Sequence, residues 1–471
     1  MAVRWIPAAQ LADLVGPAPL RRPIHQSLAG RLRLLVTDGR LVEGVRLPSE
    51  RELAARLGVS RSTVAAAYAA LREAGCLEAR QGSGNFIRIS PAELASRHFP
   101  GTARAAEGAI TMTFSAAAAS PGLDEAYAQA LDALPQLLSG HGYFPDGLPA
   151  LRERLADRYT ARGLPTEPAQ IIITSGALAA INLIAHTVLE PGDRVLVESP
   201  SYPNALESFR RHSARLVPAP MTETGWDLPG ISSALRQSAP RMAYLIPDFH
   251  NPTGALLGAD DRRQLGSSLR RDRCMPLVDE TLVELALDGQ AMPLPFAGGN
   301  PDTITVGSAS KAFWGGLRIG WIRAPRALVR PLVESRASVD LGAAPVEQLV
   351  LSELLGRAEM ILVEQRARLR EQRDQLVLLL GRELPEWRVQ RAAGGQTVWA
   401  ELPDALCSQL VMAAAAEGLI ITPGHRFFAA GGGERHLRLP FTAPIPVLTE
   451  AVTRLARAWA RIDATSARDA G

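Results

Sequence analysis

From about residue 145 to about residue 306 the chain alternates short apolar runs with segments of helical period, a rhythm that few folds accept. Leu148, Leu151, Leu155 and Tyr159 mark one helical face, and 170–174 is a short buried strand followed by a helix over 177–189. Further strands are expected at 194–197, 215–217, 242–246, 276–278 and 303–306. Strands alternating with helices predict an α/β domain on a mostly parallel sheet covered on both faces. Binding residues of such a sheet belong at strand ends and in the loops after them.

The unusual residues fall at those places. Thr174-Ser175-Gly176-Ala177 leaves a strand and opens a helix, so its backbone N–H groups can hold a phosphate at the helix N-terminus. Tyr202 either stacks on a flat ring or packs as an ordinary aromatic. Asn251, in His-Asn-Pro-Thr-Gly254, either donates to a ring oxygen or belongs to a plain turn. Asp279 ends a buried strand, where a carboxylate needs a cationic partner: a protonated pyridine nitrogen, or an arginine such as Arg273. Arg318 and Arg438 can each clamp an anion, a phosphate and a carboxylate respectively.

Of the 51 basic residues, a single one is lysine: Lys311, in Ser308-Ala-Ser-Lys311. Surface charges and phosphate clamps can be arginine, and this chain uses arginine for all of them. An imine cannot be built on guanidinium, which keeps its proton, whereas a buried lysine amine can be tuned into a nucleophile. Lys311 therefore reads as a Schiff-base lysine.

The first ninety residues have a different character. They carry 13 Arg against 7 Asp plus Glu, while the remainder is slightly acidic. A basic head on an acidic body suggests that the head meets a polyanion. A helix is expected over 23–38. In Leu47-Pro-Ser-Glu-Arg-Glu-Leu-Ala, Ser49 and Glu52 form a capping box, and Gly58 stops that helix. Ser60 caps the next, whose Val64, Tyr68 and Leu71 face inward. Two short helices joined by a tight turn are a helix-turn-helix, and the glycine-rich tip Arg80-Gln-Gly82-Ser-Gly-Asn85 between strands is a wing. Arg61, Ser62 and Thr63 then enter the major groove, Arg51 and Arg80 reach phosphates, and Gly82 lets the wing backbone approach the duplex.

Residues 91–110, with scattered proline and glycine and no sustained period, are expected to be a tether between domain 1–90 and domain 111–471. From about 333 to the end, a long helical stretch and several short strands predict a small α/β lobe that carries Arg438. No stretch of about 18 apolar residues free of charge exists, and no signal-like core opens the chain. The three cysteines have no metal-ligand spacing, so no metal is expected, and the cytoplasm is the expected location.

The stretch 23–89 resembles the winged-helix head of the GntR family of bacterial regulators, through Leu-Pro-Ser-Glu-Arg-Glu-Leu-Ala and Val-Ser-Arg-Ser-Thr-Val. Residues 110–465 resemble fold-type I pyridoxal-phosphate enzymes of the aspartate aminotransferase class. The two together resemble the MocR subfamily of transcription regulators. That resemblance implies pyridoxal 5'-phosphate held by Lys311 as an internal aldimine, with Asp279 on the pyridine nitrogen, Tyr202 stacked on the ring and Asn251 on its phenolic oxygen. Ser175, Gly176, Ala177, Ser308 and Arg318 would surround the phosphate. Arg438 would bind the carboxylate of an amino-acid effector. Tyr143 would reach the partner's phosphate site in a homodimer, which implies an operator of two half-sites in double-stranded DNA.

The implied function is a DNA-binding regulator that senses pyridoxal phosphate or an amine. The alternatives are a working aminotransferase with an appended head, and a DNA-binding module whose body only dimerises. Two departures stand out. Ala177 sits where a hydroxyl is usual, and Glu280-Thr281-Leu282 lacks the tyrosine that bonds the phenolic oxygen, so that bond is either missing or passes to Thr281.

Overall fold

In a computed structural model, described at residues 5–16, 23–37, 41, 44–73, 75–80, 83–88, 108–223 and 225–468, the alternation becomes an eight-stranded sheet. Its strands are β4 (Ile171–Thr174), β5 (Arg194–Ser199), β6 (Arg215–Thr222), β7 (Gly225–Trp226), β8 (Met242–Leu245), β9 (Met275–Asp279), β10 (Ile304–Ser308) and β11 (Gly320–Arg323). The spatial order is β4-β11-β10-β9-β8-β5-β6-β7. The central pairs β10/β9, β9/β8, β8/β5 and β5/β6 are parallel, while β11 runs antiparallel between β4 and β10.

Parallel strands are covered on both faces, and the cores show how. Val195, Val197, Leu277, Ile304 and Val306 project into one apolar cluster. Helices α7 (Ala177–Val188) and α8 (Pro203–Arg211) and Leu332 of α12 (Arg326–Arg336) seal that side. The opposite face carries two clusters side by side. One packs Leu245 and Val278 against α9 (Leu228–Ser238) and α10 (Ala259–Arg271). The other packs Ile171 and Ile173 against α5 (Leu123–Ala133), α6 (Pro149–Ala161) and α13 (Pro345–Gly356). Each fully buried Leu, Ile or Val stabilises the fold by about 1.5–3 kcal/mol relative to exposure.

By compactness the chain divides into two units: residues 1–114 with Ser408–Thr422 and Arg454–Gly471, and Ser115–Cys407 with Pro423–Thr453. The second unit holds the large sheet, α11 (Ala309–Ala312), α14 (Ala358–Glu383) and a smaller antiparallel set, β12 (Arg388–Val389), β13 (Thr397–Glu401) and β15 (His436–Pro440). In the first unit β3 (Ile110–Met112) pairs in parallel with β14 (Leu419–Pro423).

The first unit also holds α1 (Ala8–Val15), α2 (Ile24–Thr37), α3 (Glu50–Leu57), α4 (Arg61–Glu73) and the hairpin β1 (Leu77–Arg80) and β2 (Gly84–Ile87). The expected capping box is formed: Glu52 N–H donates to Ser49 Oγ at 3.3 Å, and Ser49 N–H donates to Glu52 Oε2 at 2.9 Å. Gly58 closes α3 at φ 67°, a left-handed conformation in which a Cβ is strained. Leu28, Leu32, Leu53, Val64, Tyr68 and Leu71 form the core, and the Tyr68 hydroxyl donates to the Pro48 carbonyl. Residues 91–107 of the expected tether and Gly82 of the wing lie outside the described residues.

Three elements differ from the sequence-based expectation. Helix α1 lies within the expected head 1–90 but before its first expected helix, 23–38. Strand β11 was missed because Gly315, Gly316 and Gly320 mask its short apolar run. The helical stretch from 333 breaks at Ala337–Ala344, where Leu341 and Gly342 take positive φ.

Candidate functional site

The switch from strand to helix at each parallel strand's end gathers the expected residues at one edge of the large sheet. Lys311 sits on the single turn α11 after β10, and its amine donates to the Ser115 carbonyl. Burial, with Arg438 and Arg318 nearby and only Asp279 opposing, lowers its pKa from 10.5 to about 8. A neutral, nucleophilic amine is thus available near neutral pH.

Asp279, at the end of β9, is 4% exposed. Its Oδ1 accepts from the Thr281 N–H at 2.9 Å, and its Oδ2 accepts from the Tyr244 hydroxyl at 2.7 Å. Burial raises its pKa, while the hydrogen bonds from Thr281 and Tyr244 and the Lys311 charge favour the anion. Arg273, the alternative partner, is exposed at φ 51°. Thr281 turns toward Asp279, which leaves its side chain committed there. Tyr244 was not anticipated, because an aromatic in an apolar strand reads as core.

Asn251 follows His250 in a turn containing a cis Asn251–Pro252 bond, and its side-chain oxygen is buried without a hydrogen-bond partner. Behind it, Glu198 forms a buried hub that the sequence reading also missed. It accepts from Trp226 Nε1 at 2.5 Å and Ile246 N–H at 2.9 Å, and lies 3.2 Å from His250 Nε2. Tyr202, half-buried at the start of α8, accepts from Asn204 Nδ2 at 3.0 Å, and burial raises its phenol pKa.

The turn Ser175-Gly176-Ala177 opens α7. Gly176 has φ 94°, and a Cβ there would lie 2.5 Å from Arg318 Nη2. Gly320 of β11 is equally constrained, since its Cβ would meet Gly176 C at 2.5 Å. Arg318 itself is exposed, at φ 51°, with Nη2 donating to the Ser175 carbonyl at 3.4 Å. Ser308 accepts from Ser310 N–H at 3.1 Å. A guanidinium over a helix N-terminus is an anion cradle.

Arg438 lies in β15, 7% exposed, with its guanidinium 5.0 Å from the Phe427 ring centroid. Burial lowers its pKa to about 10. Tyr143 is 59% exposed and stacks on His141 at 5.7 Å. The structure therefore groups Lys311, Asp279, Tyr202, Arg318 and Arg438 by mutual electrostatic influence, with Tyr143 on the surface.

In the head, Arg61 opens α4 with its side chain 74% exposed and its Nε 3.5 Å from Glu50 Oε2. The hydroxyls of Ser62 and Thr63 lie 2.8 and 2.7 Å from Ser60 Oγ, which also accepts from Thr63 N–H. Arg51 is exposed on α3. Arg80 lies over the Phe86 ring at 4.7 Å, and Arg72 Nη1 donates to Asn85 Oδ1 at 3.0 Å, tying α4 to the wing. Among the described residues no group of three His, Cys, Asp or Glu side chains could hold a metal ion, and no helix is long and apolar enough to cross a membrane.

The family of class I and II aminotransferases matches residues 123–455, and the gntR family of bacterial regulatory proteins matches residues 24–87. The chain is 34% identical to 2-aminoadipate transaminase of Thermus thermophilus over 64% of its own length and 78% of that protein. It is 27% identical to the probable rhizopine catabolism regulatory protein MocR of Rhizobium meliloti, over 94% of this chain and 95% of that one. It is 28% identical to the regulator TauR of Rhodobacter capsulatus, over 92% and 96%. Among solved structures, the α-aminoadipate aminotransferase LysN of Thermus thermophilus, complexed with N-(5'-phosphopyridoxyl)-L-leucine, superposes with a TM-score of 0.70. It is 31% identical, over 77% of this chain and 94% of that one.

Proposed function

Because the chain belongs to the aminotransferase class I and II family and joins that body to a gntR-family head, the arrangement of MocR-type regulators, we propose that it is a pyridoxal-phosphate-binding transcription regulator. The observation that carries the reading is the pairing of an exposed helix-turn-helix with a buried amine of lowered pKa in one chain.

The residues fit the cofactor. Lys311 would be the attachment point for its aldehyde, and Asp279, steadied by Tyr244 and Thr281, would pair with the ring nitrogen. Asn251 would donate its side-chain N–H to the ring's phenolic oxygen; its buried Oδ1 is an acceptor and takes no part in that bond. Tyr202 would cover one ring face. Ser175, Gly176, Ala177, Ser308 and Arg318 form the phosphate cradle, in which any Cβ at Gly176 would strike Arg318. Bound there, pyridoxal phosphate supplies an aldehyde that captures primary amines. Arg438 would hold the carboxylate of an amino-acid effector, a buried clamp beside the captured amine.

The head binds double-stranded DNA, with Arg61, Ser62 and Thr63 at the groove and Arg51, Arg80 and Gly82 along the backbone. We assign the head to residues 1–90, the tether to 91–110 and the body to 111–471, with the small lobe from about 333. Tyr143, exposed on this protomer, would complete the partner's phosphate site in a homodimer that spans two half-sites. An amino-acid or amine effector changes DNA affinity only through a difference in its binding to the two states of the body. The cytoplasm suits both partners.

Borohydride reduction of the loaded protein tests the assignment. It should fix one cofactor per chain on the peptide containing Lys311; a label elsewhere, or none, would refute it. The pH dependence follows from the lowered pKa. Protonation blocks attack, so the rate of cofactor capture by the stripped protein should rise as pH climbs through about 8 and level off above it. A rise that continues toward the ordinary lysine value of 10.5 would contradict the buried amine.

A further inference from the structure

Behind Asn251, one buried carboxylate ties the end of β5 to the loop that follows β8. Glu198 is the penultimate residue of β5, with its side chain 1% exposed. A carboxylate so deeply buried persists only where donors meet its oxygens. Trp226 Nε1 donates to Oε1 at 2.5 Å, and the Ile246 N–H donates to Oε2 at 2.9 Å. The third contact is the ring of His250, whose Nε2 lies 3.2 Å from Oε2. His250 is 0% exposed, and among the described residues that nitrogen has no hydrogen-bond partner to compete with Glu198. Its Nδ1 lies 2.9 Å from Thr253 Oγ1, and Trp226 packs edge-on against the ring at 5.8 Å.

The ring so held belongs to the residue that closes its own turn. The His250 N–H donates to the Ala255 carbonyl at 2.8 Å, and the Gly254 N–H donates to the His250 carbonyl at 2.6 Å. Thr253 Oγ1, besides meeting the ring, accepts from the Ala255 N–H at 3.3 Å. The turn packs closely on Ala392, since a Cβ at Gly254 would lie 2.6 Å from the Ala392 Cβ. Asn251 rides on this turn as the next residue, and its Oδ1 is buried without a partner. No bond at that oxygen aims the amide. Its aim is therefore set by the turn, and the turn is set by His250.

We propose that Glu198 is a positioning residue for Asn251: acting through His250, it fixes where the Asn251 amide N–H stands and so how well that N–H meets the phenolic oxygen of pyridoxal phosphate. The proposal rests on the cofactor reading above. It has a signed consequence. A donor at the phenolic oxygen favours the ionised form of that oxygen, so a misplaced Asn251 should raise the pH at which the visible band of the loaded protein titrates. Loss of a buried negative charge alone would act the other way, since less negative surroundings make a proton easier to lose. Lys311, Asp279, Tyr202, Tyr244, Arg318 and Arg438, the titratable and charged groups gathered at the site, are the same in every variant below.

Visible pH titrations and cofactor affinity of the full-length protein, of Glu198→Gln, of Asn251→Ala and of the double variant test this. Glu198→Gln keeps the side-chain volume, and should move the midpoint to higher pH and weaken cofactor affinity by about tenfold. In the Asn251→Ala background the same change should weaken affinity by less than about twofold, because no amide remains to be aimed. Thr253→Val removes the contact at the other ring nitrogen with no change of charge. It should move the midpoint in the same direction even if Glu198→Gln does not fold. Additive losses in the double variant, a midpoint that falls or stands still in Glu198→Gln, or an unmoved midpoint in Thr253→Val would reduce Glu198 to a fold-stabilising ion pair. A parent protein that takes no borohydride-fixed cofactor on Lys311 refutes the cofactor reading itself, and this proposal with it.

Discussion

Lys311→Ala is expected to abolish the visible absorbance band of the cofactor-loaded protein and all borohydride-fixed label. No other residue can take its place, because every other basic side chain apart from the histidines is arginine, which cannot form the bond. The variant removes an amine whose charge burial and Arg438 already disfavour, with a pKa lowered to about 8, and Asp279 keeps its hydrogen bonds from Tyr244 and Thr281. It therefore leaves no strongly unpaired charge and should fold. Its DNA affinity in the cofactor-free state should stay within about twofold of the parent, since independent sites perturb one another by only a few tenths of a kcal/mol. What it should lose is the response of DNA binding to added cofactor. A retained visible band would show that another group anchors the cofactor. It is measured by absorbance and intact mass.

Arg61→Ala is expected to do the reverse. Arg61 is the first residue of α4 and projects 74% exposed into solvent, with its Nε 3.5 Å from Glu50 among the described residues. At an exposed pair of that length the ionic attraction is worth little, so the side chain is free to exchange Glu50 for DNA. A base-reading arginine contributes about 1–3 kcal/mol, so affinity should fall about tenfold or more while cofactor loading is unchanged. The salt dependence separates two roles. A base contact would cost specificity, whereas a phosphate contact would weaken all sequences alike and flatten the salt slope. Undiminished binding to operator and to random DNA would remove α4 from the groove.

Much of this was legible because local chemistry dictates it. The Ser49–Glu52 capping box and left-handed Gly58 fix the ends of α3 from neighbouring residues alone. The strands β5, β8, β9 and β10 are largely buried on both faces, as central strands of a mostly parallel sheet require, and the edge strand β4 is buried as well. Lys311 stood out as the single lysine of the chain, in a place where the chemistry needs an amine. What stayed hidden depends on contacts distant in sequence. Tyr244 is indistinguishable from a core tyrosine until β8 and β9 pair and its hydroxyl meets Asp279. Glu198 lies 48 residues from Ile246, whose N–H it accepts. Strand β11 was obscured by its glycines, although Gly320 is there because a Cβ would strike Gly176 in the anion cradle.

A buried, reactive amine and a DNA-binding head share one chain, and the state of the amine is expected to govern how the head meets DNA. The most direct test is binding of the full-length protein to its own upstream DNA, first stripped of pyridoxal phosphate and then reloaded, followed by footprinting of both states. The account predicts a change in affinity or in the protected pattern on reloading, and its absence in Lys311→Ala. Identical affinity and footprint in the two states, together with steady turnover of an amino donor and a keto acid, would contradict it and make the body a working aminotransferase.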